Sequence, residues 1–204
     1  MSLAAFATVA FIHLLAAMSP GPSFVLSVRA AASEGFRVAV GLAVGFGIGA
    51  TIWAAAALLG LALLFEIVPV LFTALKVVGG LFLVFIAVQM WRHASEPLPV
   101  IAPGTAPRSM FGAIKLGTLA MLANPKPAVF FGAVFVGVVP VEASLTDKII
   151  VLGNIFWVEA AWYIVVARVF SLPRARAVYA RFKAALDRSF GGLIAALGAK
   201  IAIT

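Results

Sequence analysis

The sequence predicts an all-α membrane protein with about six transmembrane helices, arranged as two inverted three-helix repeats in which helices 1 and 4 are broken. Of its 204 residues, 64% are hydrophobic and 11% are charged, whereas a soluble domain has about 25% charged residues. Each helical crossing needs about 20 apolar residues. About six crossings with short connections therefore nearly exhaust the chain and leave no room for a soluble domain.

Six apolar runs predict the individual spans. The first run lacks a basic start, which favours a retained span over a cleaved signal peptide. The last run is short for a crossing and contains Lys200, and a basic connection, 174–188, precedes it. The predicted spans are 3–28, 38–65, 70–91, 110–139, 149–170 and 190–203.

The distribution of charge predicts orientation and symmetry. The first, third and fifth connections are rich in Arg and Lys, whereas the second and fourth are mainly acidic. Basic connections stay in the cytoplasm, so the net charge of +8 is not a nucleic-acid signal. One transmembrane domain, 1–204, then consists of a first repeat 1–97, a Pro-rich linker 98–109 and a second repeat 110–204. Three spans per repeat give the two halves opposite orientations.

Two proline motifs interrupt the first and fourth apolar runs at corresponding positions. Each proline removes a backbone N–H and clashes with the preceding helical turn. In a bilayer, the freed backbone groups are tolerated only where protein or a polar cavity satisfies them. Broken helices of opposed repeats form the substrate sites of many secondary transporters, so we expect both motifs to lie together. The candidate substrate-binding residues are Ser19, Pro20, Gly21, Pro22, Ser23, Asn124, Pro125, Lys126 and Glu159.

Three ionisable side chains inside the predicted spans are candidates for chemistry. Glu159 lies near mid-depth, where a charge costs at least about 2.5–3.5 kcal/mol, and could carry protons, bind a substrate ammonium or serve in a structural ion pair. Lys126 could bind a substrate carboxylate or pair with Glu159. His13 lies seven residues before Pro20 and is either a proton relay or a satisfied interior residue. Glu159 and His13 are therefore the candidate proton-coupling residues.

Polar residues at the breaks could cap the helices that restart there. Asn124 is a good N-cap type, and Ser19 and Ser23 could act similarly in the first span. A restarted helix directs free N–H groups and its positive dipole end at an anionic group. The alternative is that these residues, with the prolines, only kink the helices.

Small residues recur every four positions in the second span. Gly41, Gly45 and Gly49 line one helical face, and small residues at that spacing let another helix approach closely. The pattern predicts tight helix packing rather than substrate contact.

These motifs resemble the LysE/RhtB family of bacterial amino-acid exporters over nearly the whole chain. The resemblance rests on the broken first span, the glycine helix, Asn124-Pro125-Lys126 in the fourth span and an acid in the fifth. It implies export of amino acids or close derivatives across the bacterial inner membrane, driven by protons. Two positions depart from the pattern: Ser23, where an acid or amide is common, and Glu159, where aspartate is common. Both departures leave the identity of the substrate undetermined.

Other functions fit less well. Efflux of another small solute or cation is one alternative. Soft metals are disfavoured as the solute, because the chain has no cysteine and only two histidines. A structural membrane protein would not need two broken helices. No nucleophile–base constellation or cofactor motif indicates an enzyme. The expected partners are an amino acid, protons and the bilayer, without cofactor, metal or nucleic acid, and a homo-oligomer is left open.

Overall fold

Every regular element in the described part of the chain is a helix, which confirms the all-α prediction. The computed structural model describes residues 1–19, 21–61, 69–97, 108–124, 126–127, 130–135, 138–140 and 142–203. The helices are α1 (Leu3–Met18), α2 (Pro22–Ser33), α3 (Phe36–Ala56), α4 (Pro69–Arg92), α5 (Met110–Ala123), α6 (Leu145–Ser171) and α7 (Pro173–Ile203), with π-helical turns at Ala57–Leu61 and Phe130–Phe135.

The first apolar run is broken as predicted. Helix α1 ends at Met18 and α2 begins at Pro22, with a 68° bend between them. Pro22 occupies the first helical turn, where its missing N–H would have no intrahelical partner. The prediction that Ser19 or Ser23 caps α2 is wrong, because Gly21 takes the N-cap position and makes no side-chain cap bond. Ser19 instead ends α1, and its N–H donates to the Ala16 carbonyl.

The fourth run breaks at Asn124, immediately after α5. The Asn124 Oδ1 accepts a hydrogen bond of 3.1 Å from the Lys126 N–H, so its side chain caps the segment that follows, as predicted. Pro20 and Pro125, the central prolines of the two motifs, lie outside the described residues. The break itself follows from the end of α5 at Ala123.

The glycine face of α3 packs directly on α5. A Cβ at Gly45 would overlap the Ile114 carbonyl oxygen, and one at Gly49 would lie 2.6 Å from the Met121 Cβ. The Thr118 hydroxyl donates to the Gly45 carbonyl at 3.2 Å across the same interface. Close helix approach therefore explains the glycine spacing, as predicted.

Gly45→Ala is expected to destabilise the fold by about 1–3 kcal/mol, the usual cost of overpacking a tight core. Gly153→Ala on α6 is the matched control, because a Cβ there meets nothing within 4 Å. Both changes raise helix propensity, so their difference isolates the clash. Thermal unfolding of the two purified variants in detergent measures it. Equal melting temperatures would show that the α3–α5 contact tolerates a methyl group.

Ion pairs join the helix ends into two opposite groups. At one end, the Met1 amino group lies 2.9 Å from the Asp147 Oδ1, beside the start of α6. At the other end, the Arg108 Nη1 lies 3.3 Å from the Glu34 Oε1, and Arg168 near the end of α6 lies over the Phe36 ring. The first and third connections and the end of α6 therefore share one side.

Helix α7 differs from the sequence prediction. Residues 174–188 are not a loop but the first half of a continuous helix, Pro173–Ile203, of 31 residues. It packs antiparallel to α4: a Cβ at Gly191 would meet the Trp91 ring, and one at Gly80 would meet the Gly198 carbonyl. The charges misled the prediction because a helix can carry them on its surface: Arg181 and Arg188 are exposed, whereas Asp187 on the same helix is buried.

Several helices have the length and apolar character of membrane spans. Among the described residues, Phe36–Gly60 and Leu145–Ser171 each qualify, and the bent pair α1–α2 qualifies as one broken span. Large apolar side chains also face outward, among them Trp157, Ile149 and Phe85. Such a surface suits contact with lipid rather than water.

Candidate functional site

The two helix breaks meet in the centre of the molecule. The Lys126 Nζ donates a hydrogen bond of 2.7 Å to the Ser19 carbonyl, and the Asn124 Nδ2 donates one of 3.2 Å to the Ser23 Oγ. A Cβ at Gly21 would lie 3.7 Å from the Lys126 Cδ. The prediction that the breaks lie close together is therefore confirmed.

Helix termination explains why this junction is polar. The last carbonyls of a helix have no intrahelical partner, and the Ser19 carbonyl, just past α1, receives the Lys126 ammonium instead. Gly21 has no side chain, so the lysine stem passes close to its backbone. The junction thus binds the Lys126 ammonium through a backbone carbonyl that the end of α1 leaves without a helical partner.

Glu159 lies next to His13 rather than in an ion pair with Lys126. The His13 Nε2 is 3.1 Å from the Glu159 Oε2, and the two side chains are 4% and 5% exposed. Their positions depend on α1 packing against α6, which the Asn154 Nδ2 supports by donating to the Phe6 carbonyl at 3.3 Å. The two candidate proton-coupling residues are therefore direct neighbours, shielded from solvent.

Two phenylalanines enclose the histidine. The His13 ring centroid lies 5.8 Å from that of Phe130 and 5.5 Å from that of Phe131. Both rings belong to the π-helical turn that follows the second break. Among the described residues, neither ring nitrogen of His13 makes a hydrogen bond of good geometry, although the Nε2 lies 3.1 Å from the Glu159 Oε2. A histidine held against one carboxylate in apolar surroundings can exchange a proton with that carboxylate, because the apolar rings keep most other proton acceptors away.

The sequence analysis missed part of the lining. Tyr163 lies one turn after Glu159, is buried, and interacts through its hydroxyl with Ser23. Its spacing from Glu159 could have placed it in the site, since residues four apart share a helix face. The other lining residues that were missed are Ala16, Ala17, Ala50, Met121, Pro127, Phe130 and Phe131.

The central cavity is small in this conformation. Its volume is about 30 Å³, enough for about two water molecules. Gly21, Ser23, Asn124, Lys126, Glu159 and His13 line it, whereas the other two described candidates, Ser19 and Pro22, lie outside this lining. The cavity brings an ammonium, a carboxylate and hydroxyl groups together. These groups complement a zwitterion, which needs a cationic and an anionic partner.

Comparison with known proteins gives consistent matches along the chain. The model of the LysE type translocators matches residues 14–204. The threonine efflux protein of Escherichia coli (strain K12) is 36% identical over 205 residues, covering 98% of both chains. The threonine efflux protein of Salmonella typhi is 34% identical with the same coverage. Among solved structures, none matches this chain.

Proposed function

Because the chain belongs to the LysE type translocator family, we propose that it exports L-threonine or another small amino acid from the cytoplasm. The protein is a transporter and not an enzyme. Its relatives that match over the whole chain carry the name threonine efflux protein. Both the substrate class and the direction of transport in this proposal follow from that similarity.

The observation that carries the proposal is the convergence of the two breaks on one cavity. Lys126 supplies a cation beside Gly21, and Glu159 supplies a carboxylate on the facing helix α6. The Lys126 ammonium would bind the carboxylate of the amino acid, and Glu159 or exposed carbonyls would bind its ammonium. The Ser23 hydroxyl, which also lines this cavity, would leave room for a small polar side chain.

Contacts between helix ends support six crossings in two inverted repeats. Helix α4 runs antiparallel to α7, with Lys183 donating to the His93 carbonyl at 2.9 Å. Helices α3 and α5 both begin on the side where Glu34 meets Arg108. The positive-inside rule makes this the cytoplasmic side of the bacterial inner membrane. In this arrangement the two breaks would lie near the bilayer midplane, as in other inverted-repeat transporters.

The same arrangement supports coupling to protons. His13 and Glu159 share one contact of 3.1 Å in a nearly dry setting, so a proton added to one alters the charge that the other experiences. Protonation from the acidic outer side would change the field at Lys126. Proton uptake would thereby be exchanged for release of the amino acid.

Amino-acid accumulation in cells tests this function. Bacteria that lack the protein should retain more radiolabelled L-threonine than cells that overproduce it, and purified protein in liposomes should move L-threonine down its gradient. Parallel assays with other amino acids and with a monovalent cation separate the alternatives. Movement of a cation without any amino acid would overturn the proposal.

A further inference from the structure

A second cavity lies beside Gly21, between residues of α4 and α7. It has a volume of about 180 Å³, whereas a cavity of about 150 Å³ can hold benzene. The second cavity therefore has the size for a small amino acid, whereas the central cavity of about 30 Å³ is too small for one. The lining residues are Gly21, Gln89, Met90, His93, Lys183 and Asp187.

An ion pair on α7 forms one wall of this cavity. The Lys183 Nζ lies 2.8 Å from the Asp187 Oδ2 and also donates to the carbonyls of His93 at 2.9 Å and Ala94 at 3.2 Å. Lys183 thus caps the end of α4. Asp187 is 4% exposed, although the segment that carries it is rich in exposed charged residues.

Helix capping explains the lysine but not the aspartate. The two carbonyl bonds of Lys183 do not require a carboxylate, and a buried ion pair is weak evidence of stability because desolvation offsets its attraction. A carboxylate has acceptor sites for several donors, so the bond from Lys183 leaves capacity for a second ammonium. Asp187 therefore presents spare carboxylate acceptor sites to the cavity, and the Gln89 side chain in the same wall offers amide donors.

Gly21 connects this cavity to the central one. It lines both, and its extended backbone, with φ −176°, carries no side chain to separate them. The charge distribution assigns the C-terminal end of α4 and the start of α7 to the cytoplasm. A solute that arrives from the cytoplasm would meet the Lys183–Asp187 pair before it reaches Lys126.

We propose that the cavity bounded by Gly21, Gln89, Lys183 and Asp187 is a cytoplasmic access site that binds the amino-acid zwitterion before it enters the central cavity. This inference rests on the proposed function. Asp187 binds the ammonium group of the amino acid, the amide N–H groups of Gln89 bind its carboxylate, and Lys183, whose three donors bind protein oxygens, holds Asp187 in place. The amino acid then passes Gly21 when the breaks open.

Protection of a single cysteine tests the site. The chain contains no cysteine, so Met90→Cys places one thiol on the cavity wall. In inside-out vesicles, L-threonine should slow alkylation of this thiol by a membrane-impermeant reagent. Adding Asp187→Asn should raise the half-protecting concentration about tenfold, the effect of losing one modest charged contact.

Two control variants separate this site from the central one and from general charge effects. Glu96→Gln removes an exposed acid next to His93 and should leave protection unchanged. Lys126→Met weakens the central site and should also leave it unchanged. Loss of protection with Lys126→Met but not with Asp187→Asn would overturn the inference.

The Met90→Cys protein with no further change also tests the access site, even if the variant that adds Asp187→Asn fails to fold. If the Met90→Cys protein transports L-threonine in liposomes but saturating L-threonine gives no protection, the access site is wrong and the proposed function stands. If neither it nor the wild-type protein moves any amino acid, the proposed function itself is wrong.

Discussion

Replacing Glu159 by glutamine is expected to abolish proton-driven export of L-threonine while sparing threonine exchange. Glutamine keeps the shape and hydrogen-bonding capacity of the side chain but cannot take up a proton. In the structure, the His13 Nε2 lies 3.1 Å from the Glu159 Oε2, and Lys126 and Tyr163 line the same cavity. Loss of this carboxylate would leave the histidine without the group that exchanges its proton. We expect export to fall by about 100-fold or more, the range typical when a positioned proton-transfer group is removed.

Exchange and net export should be measured in the same proteoliposomes with an imposed pH gradient. Glu142→Gln, at an exposed glutamate in the connection before α6, is the matched control and should keep both activities. Undiminished gradient-driven export by Glu159→Gln would remove Glu159 from the coupling mechanism and direct attention to His13. Loss of exchange together with export would instead make Glu159 a ligand for the substrate ammonium.

The helix breaks were predictable because their cause is local. A proline removes a backbone donor and clashes with the preceding turn in any environment, so the ends of α1 and α5 follow from the motifs alone. The packing role of Gly45 was predictable for a related reason. A face of glycines four residues apart can be explained only by another surface at close range, and α5 provides it.

The pairing of charged groups was not predictable to the same degree. His13 and Glu159 lie on helices from opposite ends of the chain, and no spacing rule relates them. Lys126 was the pairing partner that the sequence suggested for Glu159, and the contact with His13 depends on how α1 packs against α6. The Lys183–Asp187 pair has the four-residue spacing of a helical ion pair. It was overlooked because the basic segment was interpreted as a loop.

Replacing Lys126 by methionine is expected to reduce both export and exchange of L-threonine, in contrast to Glu159→Gln. Methionine keeps a long apolar stem beside Gly21 but lacks the ammonium that donates to the Ser19 carbonyl. Hydrogen bonds to charged groups contribute about 1.5–3 kcal/mol. We therefore expect transport at low threonine concentration to fall about 10- to 100-fold. Lys115→Met, at an exposed lysine on α5, should have no such effect.

The role of Lys126 in binding the substrate carboxylate can be separated from its structural bond to Ser19. Threoninol keeps the ammonium and the side-chain hydroxyl but carries a hydroxymethyl group in place of the carboxylate. If Lys126 binds the carboxylate, wild-type protein should prefer L-threonine over threoninol as an inhibitor of exchange, and Lys126→Met should lose that preference. If the variant melts at a lower temperature but keeps the preference, Lys126 only ties the two breaks together. The cation for the substrate would then have to come from the free N–H groups at the start of α2, whose positive dipole end faces the same cavity beside Gly21.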